Sequence, residues 1–237
     1  MKRFWKNAAA AGSGPAWTIE LDGRPVRTPG RSLLQVAGQS LAEAIAGEWA
    51  AAGDTVDPRA MPLTGLANAA LDHVQPDPTA FAAGLSRYGE SDLLTYRAST
   101  PRALVEREAA AWDPLLQWAR RRYDVDFVVT EGITHVPQPR PTLERLSHAV
   151  AALDPFRLAG LSPLVTVGGS LIAGLAVLEG GASAEQAWDA VSLDERWQLE
   201  TWGSDAEAEA ALGNRRQDFM TAAHFLELLG PQENRSS

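Results

Sequence analysis

Residues 158–178 carry no charged side chain over 21 positions, and this run restricts the possible folds more than any other feature of the chain. About 20 apolar residues in a helix span a bilayer, so the first question is whether these do. Their content argues otherwise. Gly160, Ser162, Pro163, Thr166, Gly168, Gly169, Ser170 and Gly174 interrupt the run. Leu161, Leu164, Val165, Leu171, Ile172, Leu175 and Leu178 read as one helical stripe, with small residues on the opposite side. The pattern predicts a central helix over about 155–179, crowded by neighbours on all sides, with no membrane insertion. Such a helix needs a sizeable core around it. A chain of 237 residues, 45% apolar and 22% charged, can build one without covalent staples. It has no cysteine, which excludes disulfides, Cys zinc sites, thiol nucleophiles and iron–sulfur clusters.

The first third has a different rhythm. Trp17-Thr18-Ile19-Glu20-Leu21 alternates apolar and polar side chains, Asp22-Gly23 follows, and Arg24-Pro25-Val26-Arg27-Thr28 continues. Asp-Gly between such segments signals a hairpin, and Pro25, lacking an amide to donate, belongs on a sheet edge. A third strand is expected within 32–36. Ser40-Leu41-Ala42-Glu43 has capping-box spacing and predicts a helix from Ser40, with Leu41, Ala44, Ile45 and Trp49 inward and Gly53 as its limit. Trp49 is expected half-buried near the end of that helix. Pro62 suits the first position of a short helix whose stripe is Leu63, Leu66, Ala67, Ala70, Leu71 and Val74. Pro76-Asp77-Pro78 then breaks the chain before a helix over 79–88, and this region is the candidate hinge between two parts.

From Thr100 the pattern is almost wholly helical. Thr100 as N-cap and Pro101 as first residue predict a helix start, and Pro114 is expected to kink or restart that helix. Leu104, Glu108, Ala111, Leu115 and Trp118 continue it. Val125 to Val129 reads as a strand or extended tail, and Pro137, Pro139 and Pro141 as a stiff connector. Four helices are expected over about 141–152, 155–179, 183–202 and 205–229. In the third, Ala184, Ala187, Trp188 and Val191 form an inward stripe, and steps of three and four carry it to Glu195, Gln198 and Trp202. An acid and an amide therefore fall where core side chains are expected. Trp197 lies about 140° from Trp202 around the axis, on a neighbouring stripe. Gly203 stops the helix, and Ser204-Asp205-Ala206-Glu207 forms a second capping box. Two readings of this corner stay open: a tight turn with a buried polar network, or a partner-binding surface of aromatics rimmed by acids.

Catalytic motifs are scarce. There is no phosphate loop, no dinucleotide fingerprint and no nucleophile elbow. His73, His135, His148 and His224 lack metal-ligand spacing, so no metal is expected. An enzyme site would have to assemble from distant residues such as His73, Asp92 and Tyr96. The net charge of −9, from 30 acids against 21 bases, argues against nucleic acid. Arg120-Arg121-Arg122 falls near a predicted helix end, where cations complement the dipole. The basic Met1 to Lys6 segment is not followed by the apolar run of a targeting peptide.

The order of several short segments is more specific. They are KRFW at 2–5, LDGRPVRTP at 21–29, EWAAAGDTVDPRAMPLTGLANAALD at 48–72, DLLTYRA at 92–98, WDPLLQWARRRYDV at 112–125 and LDERWQLETWG at 193–203. Taken together they resemble the assembly chaperone of F-type ATP synthase that attends the alpha subunit, a family of mitochondria and related bacteria. The resemblance implies an α+β fold: a small N-terminal α/β domain with a β-hairpin over 1–85, then a C-terminal all-α orthogonal helical bundle over 86–237. It implies no enzymatic activity and no cofactor. The implied role is to bind the unassembled alpha subunit and prevent its aggregation until the beta subunit replaces it. By motif match, partner binding or its support falls on Trp49, Glu195, Gln198, Trp202, Asp205 and Glu207, with Trp49 packing the first domain against 61–72. The family often has an acid four residues after the motif tryptophan. Ala206 stands there in this chain, between Asp205 and Glu207, which leaves both acids as candidates. Mitochondrial members need an import sequence that this chain lacks, so a bacterial cytoplasmic location is expected, with the free chain monomeric. Outside this family the alternatives are a general interaction scaffold and an unrecognised small-molecule enzyme.

Overall fold

The computed structural model describes residues 2–14, 16–203 and 206–230. The chain groups into two compact units. One comprises Met1–Pro78, Asp154–Gly160 and His224–Ser237, the other Thr79–Leu153 and Leu161–Ala223. Short pieces of the C-terminal half thus count with the N-terminal unit.

In the first unit the strands are β1 (Ala8–Ser13), β2 (Ala16–Leu21), β3 (Arg24–Pro25) and β4 (Gln35–Ala37). β2 is central. It runs antiparallel to β1 along its whole length, and its other edge pairs with β3 at Glu20↔Pro25 and with β4 at Trp17↔Val36. The Asp22-Gly23 turn has φ of 50° and 75°, the two left-handed residues that a tight hairpin turn requires. The Asp22 carboxylate accepts the Lys6 and Asn7 amides, and these bonds hold its pKa below the usual carboxylate value. Alanine-rich β1 has neither alternation nor β propensity. Pairing with β2, not local preference, makes it a strand.

Helix α1 (Gln39–Ala51) buries Leu41, Ile45 and Trp49 in a core shared with Trp5, Ile19, Leu34 and Phe225. It starts one residue before the expected cap. Gly38, at φ 85°, is the N-cap and no side chain caps the helix, because the turn out of β4 needs a backbone that glycine adopts freely. Trp49 is 9% exposed, not half-buried. Trp5 covers it edge-to-face at 5.2 Å and donates its indole N–H to the Trp49 carbonyl at 3.2 Å.

Helix α2 (Pro62–Ala69) begins with proline, as expected, but its N-cap Met61 offers no side-chain acceptor. Glu48 of α1 supplies one from a distance. One of its oxygens accepts the Leu63 amide, and the other accepts the Thr64 amide and hydroxyl, each at 2.7 Å. A carboxylate on exposed helix-start amides satisfies them and complements the dipole. Glu48→Ala is therefore expected to cost about 2 kcal/mol, read as a lower urea midpoint at unchanged slope. An unchanged midpoint would show that water caps α2 equally well.

The remaining helices are α3 (Pro78–Ser86), α4 (Arg102–Tyr123), α5 (Arg140–Ala151), α6 (Pro155–Gly168), α7 (Leu171–Leu178), α8 (Ala184–Val191), α9 (Leu193–Trp202) and α10 (Ala206–Leu229). Pro101, not Thr100, is the N-cap of α4, and the helix continues through Pro114 to Tyr123 without restarting. The second unit also contains a two-stranded parallel sheet of β5 (Tyr96–Arg97) and β6 (Thr130–Glu131).

Two of the long expected helices are each broken in two. The uncharged run splits at Gly169, with φ 66°, and at Ser170, whose hydroxyl oxygen accepts the Ala173 amide to start α7. The single stripe over 161–178 therefore does not exist. Crowding is nonetheless real: Leu171, Ile172, Ala173, Leu175 and Ala176 are at most 1% exposed, and Gly174 between them is buried. At Gly174 a Cβ would lie 2.9 Å from Val165 Cγ2, so α6 and α7 touch through a glycine. Among the described residues no helix is long and apolar enough to cross a membrane.

The second break is at Ser192, between α8 and α9. Its backbone (φ −96°, ψ 5°) leaves helical geometry, and its hydroxyl donates back to the Trp188 carbonyl at 2.7 Å. That back-bond competes with helix propagation and resets the phase of the turns that follow.

Candidate functional site

Because the phase is reset, the inward stripe of α8 does not run into α9. Ala187, Trp188 and Val191 are buried, whereas Leu193 is the only buried residue of α9. Glu195, Gln198 and Trp202 do share one face at steps of three and four, but that face meets solvent. Trp202 is 77% exposed. The expectation that these three continue the core is thus corrected, and Ser192 is the cause.

Ionic and aromatic clamps from three neighbouring helices hold α9 in place. From α4, the Arg107 guanidinium lies 4.6 Å above the Trp197 ring and pairs with Glu200 at 2.7 Å. From α10, Arg215 grips both oxygens of Glu195 at 2.6–2.7 Å and donates to the Val167 carbonyl at 3.0 Å. Arg196 on α9 reaches back to Asp189 on α8 at 3.1 Å. The indole of Trp112 ties α4 to α8 through the Ala190 carbonyl at 2.8 Å. A cleft of about 390 Å³ opens beside α9, lined by Arg107, Ala110, Ala111, Leu193, Arg196 and Glu200.

The other site candidates fall elsewhere. Glu207 is exposed in the first turn of α10. Asp205, with Ser204 of the expected second capping box, lies outside the described residues. Trp49 belongs to the core of the first unit, where its side chain meets Trp5 and not solvent.

Sequence reasoning passed over one group of side chains. Glu108 of α4 is 1% exposed, and its carboxyl accepts the Ala98 amide at 2.9 Å. Burial pushes its pKa up to about 7. The Asp194 carboxyl beside it pushes the same way, while the Ala98 amide and Arg97 pull down. Burial raises Asp194 as well. The signal was present, since Glu108 falls on the apolar stripe of its helix between Leu104 and Leu115.

The residues of the conceivable enzyme site do other work. Asp92 is wholly buried and accepts backbone amides, Tyr96 meets His135 at 3.1 Å, and His73 belongs to the first unit. Among the described residues no three acids or histidines are grouped to hold a metal.

Residues 2–120, about half of the chain, match the family described as ATP12 chaperone protein. The chain belongs to the ATP12 chaperone family. Among solved structures, Atp12 from Paracoccus denitrificans is 43% identical, with a TM-score of 0.91 over 96% of this chain and 98% of that one. A mutant of P. denitrificans Atp12p, also 43% identical, gives 0.92 over 96% and 97%. The mitochondrial protein atp12 of Schizosaccharomyces pombe is 28% identical over 216 residues, which are 86% of this chain and 74% of that protein. The stretch matched by the ATP12 family model ends before α9, whereas the likeness to the Paracoccus Atp12 extends over nearly the whole α+β fold.

Proposed function

We propose that this chain is an assembly chaperone for the catalytic head of F-type ATP synthase. In this reading it holds the unassembled alpha subunit through the outer face of α9 and the start of α10, until the beta subunit takes its place. The observation that carries the site is Trp202, a large apolar ring left in water at the end of a helix that Arg107 and Arg215 clamp through Glu200 and Glu195. Tryptophan is costly to expose and is enriched among residues that anchor interfaces.

The physics of the task suits such a surface. An unassembled subunit exposes apolar area that would otherwise aggregate, and covering it takes roughly 1,000 Å² or more. The chaperone must also leave, which favours an aromatic anchor with a polar rim over a broad apolar face. Gln198 and Glu195 share the Trp202 face, and exposed Glu207 follows on α10. The Atp12 relatives from a bacterium support placing the chain in a bacterial cytoplasm.

Mixing the purified chain with unassembled alpha subunit is expected to suppress its aggregation and to give a co-eluting complex. Unchanged aggregation with no complex rejects the reading. Glu207→Lys is expected to leave thermal stability unchanged and to weaken binding by about tenfold, mainly through slower association at low salt. Equal association rates for wild type and variant would remove Glu207 from the surface.

A further inference from the structure

Three of the five large hydrophobic side chains exposed among the described residues fall within six consecutive positions: Val128 (39%), Val129 (42%) and Ile133 (98%). Single exposed apolar residues are ordinary, whereas a cluster on one short segment marks a contact surface. Up to Phe127 the segment alternates, with Val125 and Phe127 buried and Asp126 exposed. Val129 would face inward if that alternation continued, yet it and Val128 both meet solvent.

The backbone of this segment is tied down on both flanks. Gln138, 7% exposed, accepts the Val128 amide at 3.0 Å and donates to its carbonyl at 2.8 Å, so one carboxamide takes the place of a neighbouring strand. Thr142 of α5 donates to the Asp126 carbonyl at 2.7 Å. β6 pairs with β5, the Gly132 amide donates to the Arg97 carbonyl at 2.8 Å, and His135 lies 3.1 Å from the Tyr96 hydroxyl. Ile133 therefore stands between anchored neighbours with its side chain in water. A surface fixed before contact loses less entropy on binding.

The same ties reach α9 through α4. Arg97 pairs with Asp113 of α4, and the Ala98 amide donates to Glu108, while α9 is attached at Arg107 through Glu200. These attachments fall between Arg107 and Asp113, about 9 Å along the helix axis. One helix thus joins both exposed apolar patches of the second unit. A specific interface buries roughly 800 Å² a side, and one tryptophan supplies about 150–250 Å² of that. Trp202 needs a second apolar contact to hold a client.

We propose that Val128, Val129 and Ile133 form that second contact, and that it takes an apolar surface of the unassembled alpha subunit bordered by lysine or arginine. This rests on the reading of the chain as a chaperone of that subunit. The border follows from Asp126 and Glu131, both exposed beside the three apolar side chains. A second copy of this chain fits less well. In a two-fold contact the patch would meet itself, and these acids would oppose their own counterparts.

The test compares the full chain as wild type, Ile133→Ala, Ile133→Asp and Ile133→Ala combined with Trp202→Ala, by affinity for unassembled alpha subunit, thermal midpoint and sedimentation. Ile133→Ala is expected to weaken binding by about tenfold at an unchanged midpoint, since its side chain packs on nothing in the free chain. Ile133→Asp is expected to weaken it further. In the combined variant the two losses should multiply, as for separate contacts on one client. Hydrogen exchange in wild type gives a check that needs no variant: amides of 129–134 are expected to slow on complex formation. Wild-type affinity for Ile133→Asp, or unslowed exchange of 129–134 in a stable complex, overturns this contact and leaves the client reading standing. A wild-type dimer that Ile133→Asp dissolves assigns the patch to a second copy and overturns it too. If wild type binds no alpha subunit, the client reading fails and this contact falls with it.

Discussion

Asp92→Ala is expected to destabilise the fold by roughly 2–4 kcal/mol, the largest loss of stability among the substitutions considered. Asp92 is 0% exposed and its two oxygens serve two helix starts. Oδ1 accepts the Leu94 amide at 3.1 Å, within the single turn Leu93–Thr95. Oδ2 accepts the Ile172 amide at 3.0 Å, in the first turn of α7. Because α7 is buried on all sides, water cannot replace the carboxylate, and alanine leaves both amides unpaired above a small cavity. Relief from burying the charge offsets part of the cost. Asparagine offers one acceptor where two are needed and turns its NH₂ toward one of the donors, so Asp92→Asn is expected to fall between alanine and wild type. Burial raises the Asp92 pKa to about 6, against bonds from the Ile172 and Leu94 amides and the Ser170 side chain that pull it down. The contribution from the protonated form is therefore complete below pH 3.8, the ordinary value, and is lost as pH rises through about 6. Urea midpoints of wild type and Asp92→Asn measured across that window check the sign. The wild-type advantage should shrink as pH rises.

Trp202→Ala is expected to do the reverse: to leave stability within about 0.5 kcal/mol and to weaken alpha-subunit binding by about 30-fold or more. A ring 77% exposed contributes little to its own core, whereas an anchor desolvated in a complex loses its full buried area on truncation. If α9 continued the inward stripe of α8, the same substitution would cost 3–5 kcal/mol of stability, as truncating a core aromatic does. Thermal unfolding and binding measured on one preparation separate the two cases. A large stability loss contradicts the exposed placement, and unchanged binding removes Trp202 from the client surface.

Those opposite outcomes trace to one residue, and they show what local pattern conveys. At Ser40, Ser183 and Ser192 the same Ser-x-x-Glu/Gln spacing meets three different fates. Ser183 and Gln186 form a true capping box. Ser40 is bypassed because Gly38 already turns the chain. Ser192 does begin a helix, but its hydroxyl turns back to Trp188, so the one spacing that marked the break in 183–202 reads as continuous helix. Features fixed by neighbours in sequence were legible: the Asp22-Gly23 hairpin, Pro25 on an edge strand, Pro62 opening α2. Features fixed across long separations were not. β1 is a strand because β2 pairs with it, Trp49 is buried because Trp5 covers it, and α2 is capped by Glu48 from another helix. At the candidate site the shared face of Glu195, Gln198 and Trp202 was legible from spacing alone. Its direction was not, because one irregular residue rotates everything after it.

Whether that face covers a client is tested most directly by hydrogen exchange on the complex with unassembled alpha subunit. Slowed exchange across Leu193–Trp202 and the first turns of α10 on complex formation is the expected result. A stable complex in which those amides exchange as in the free chain, with protection confined to other elements, would contradict the assignment of α9 as the client face.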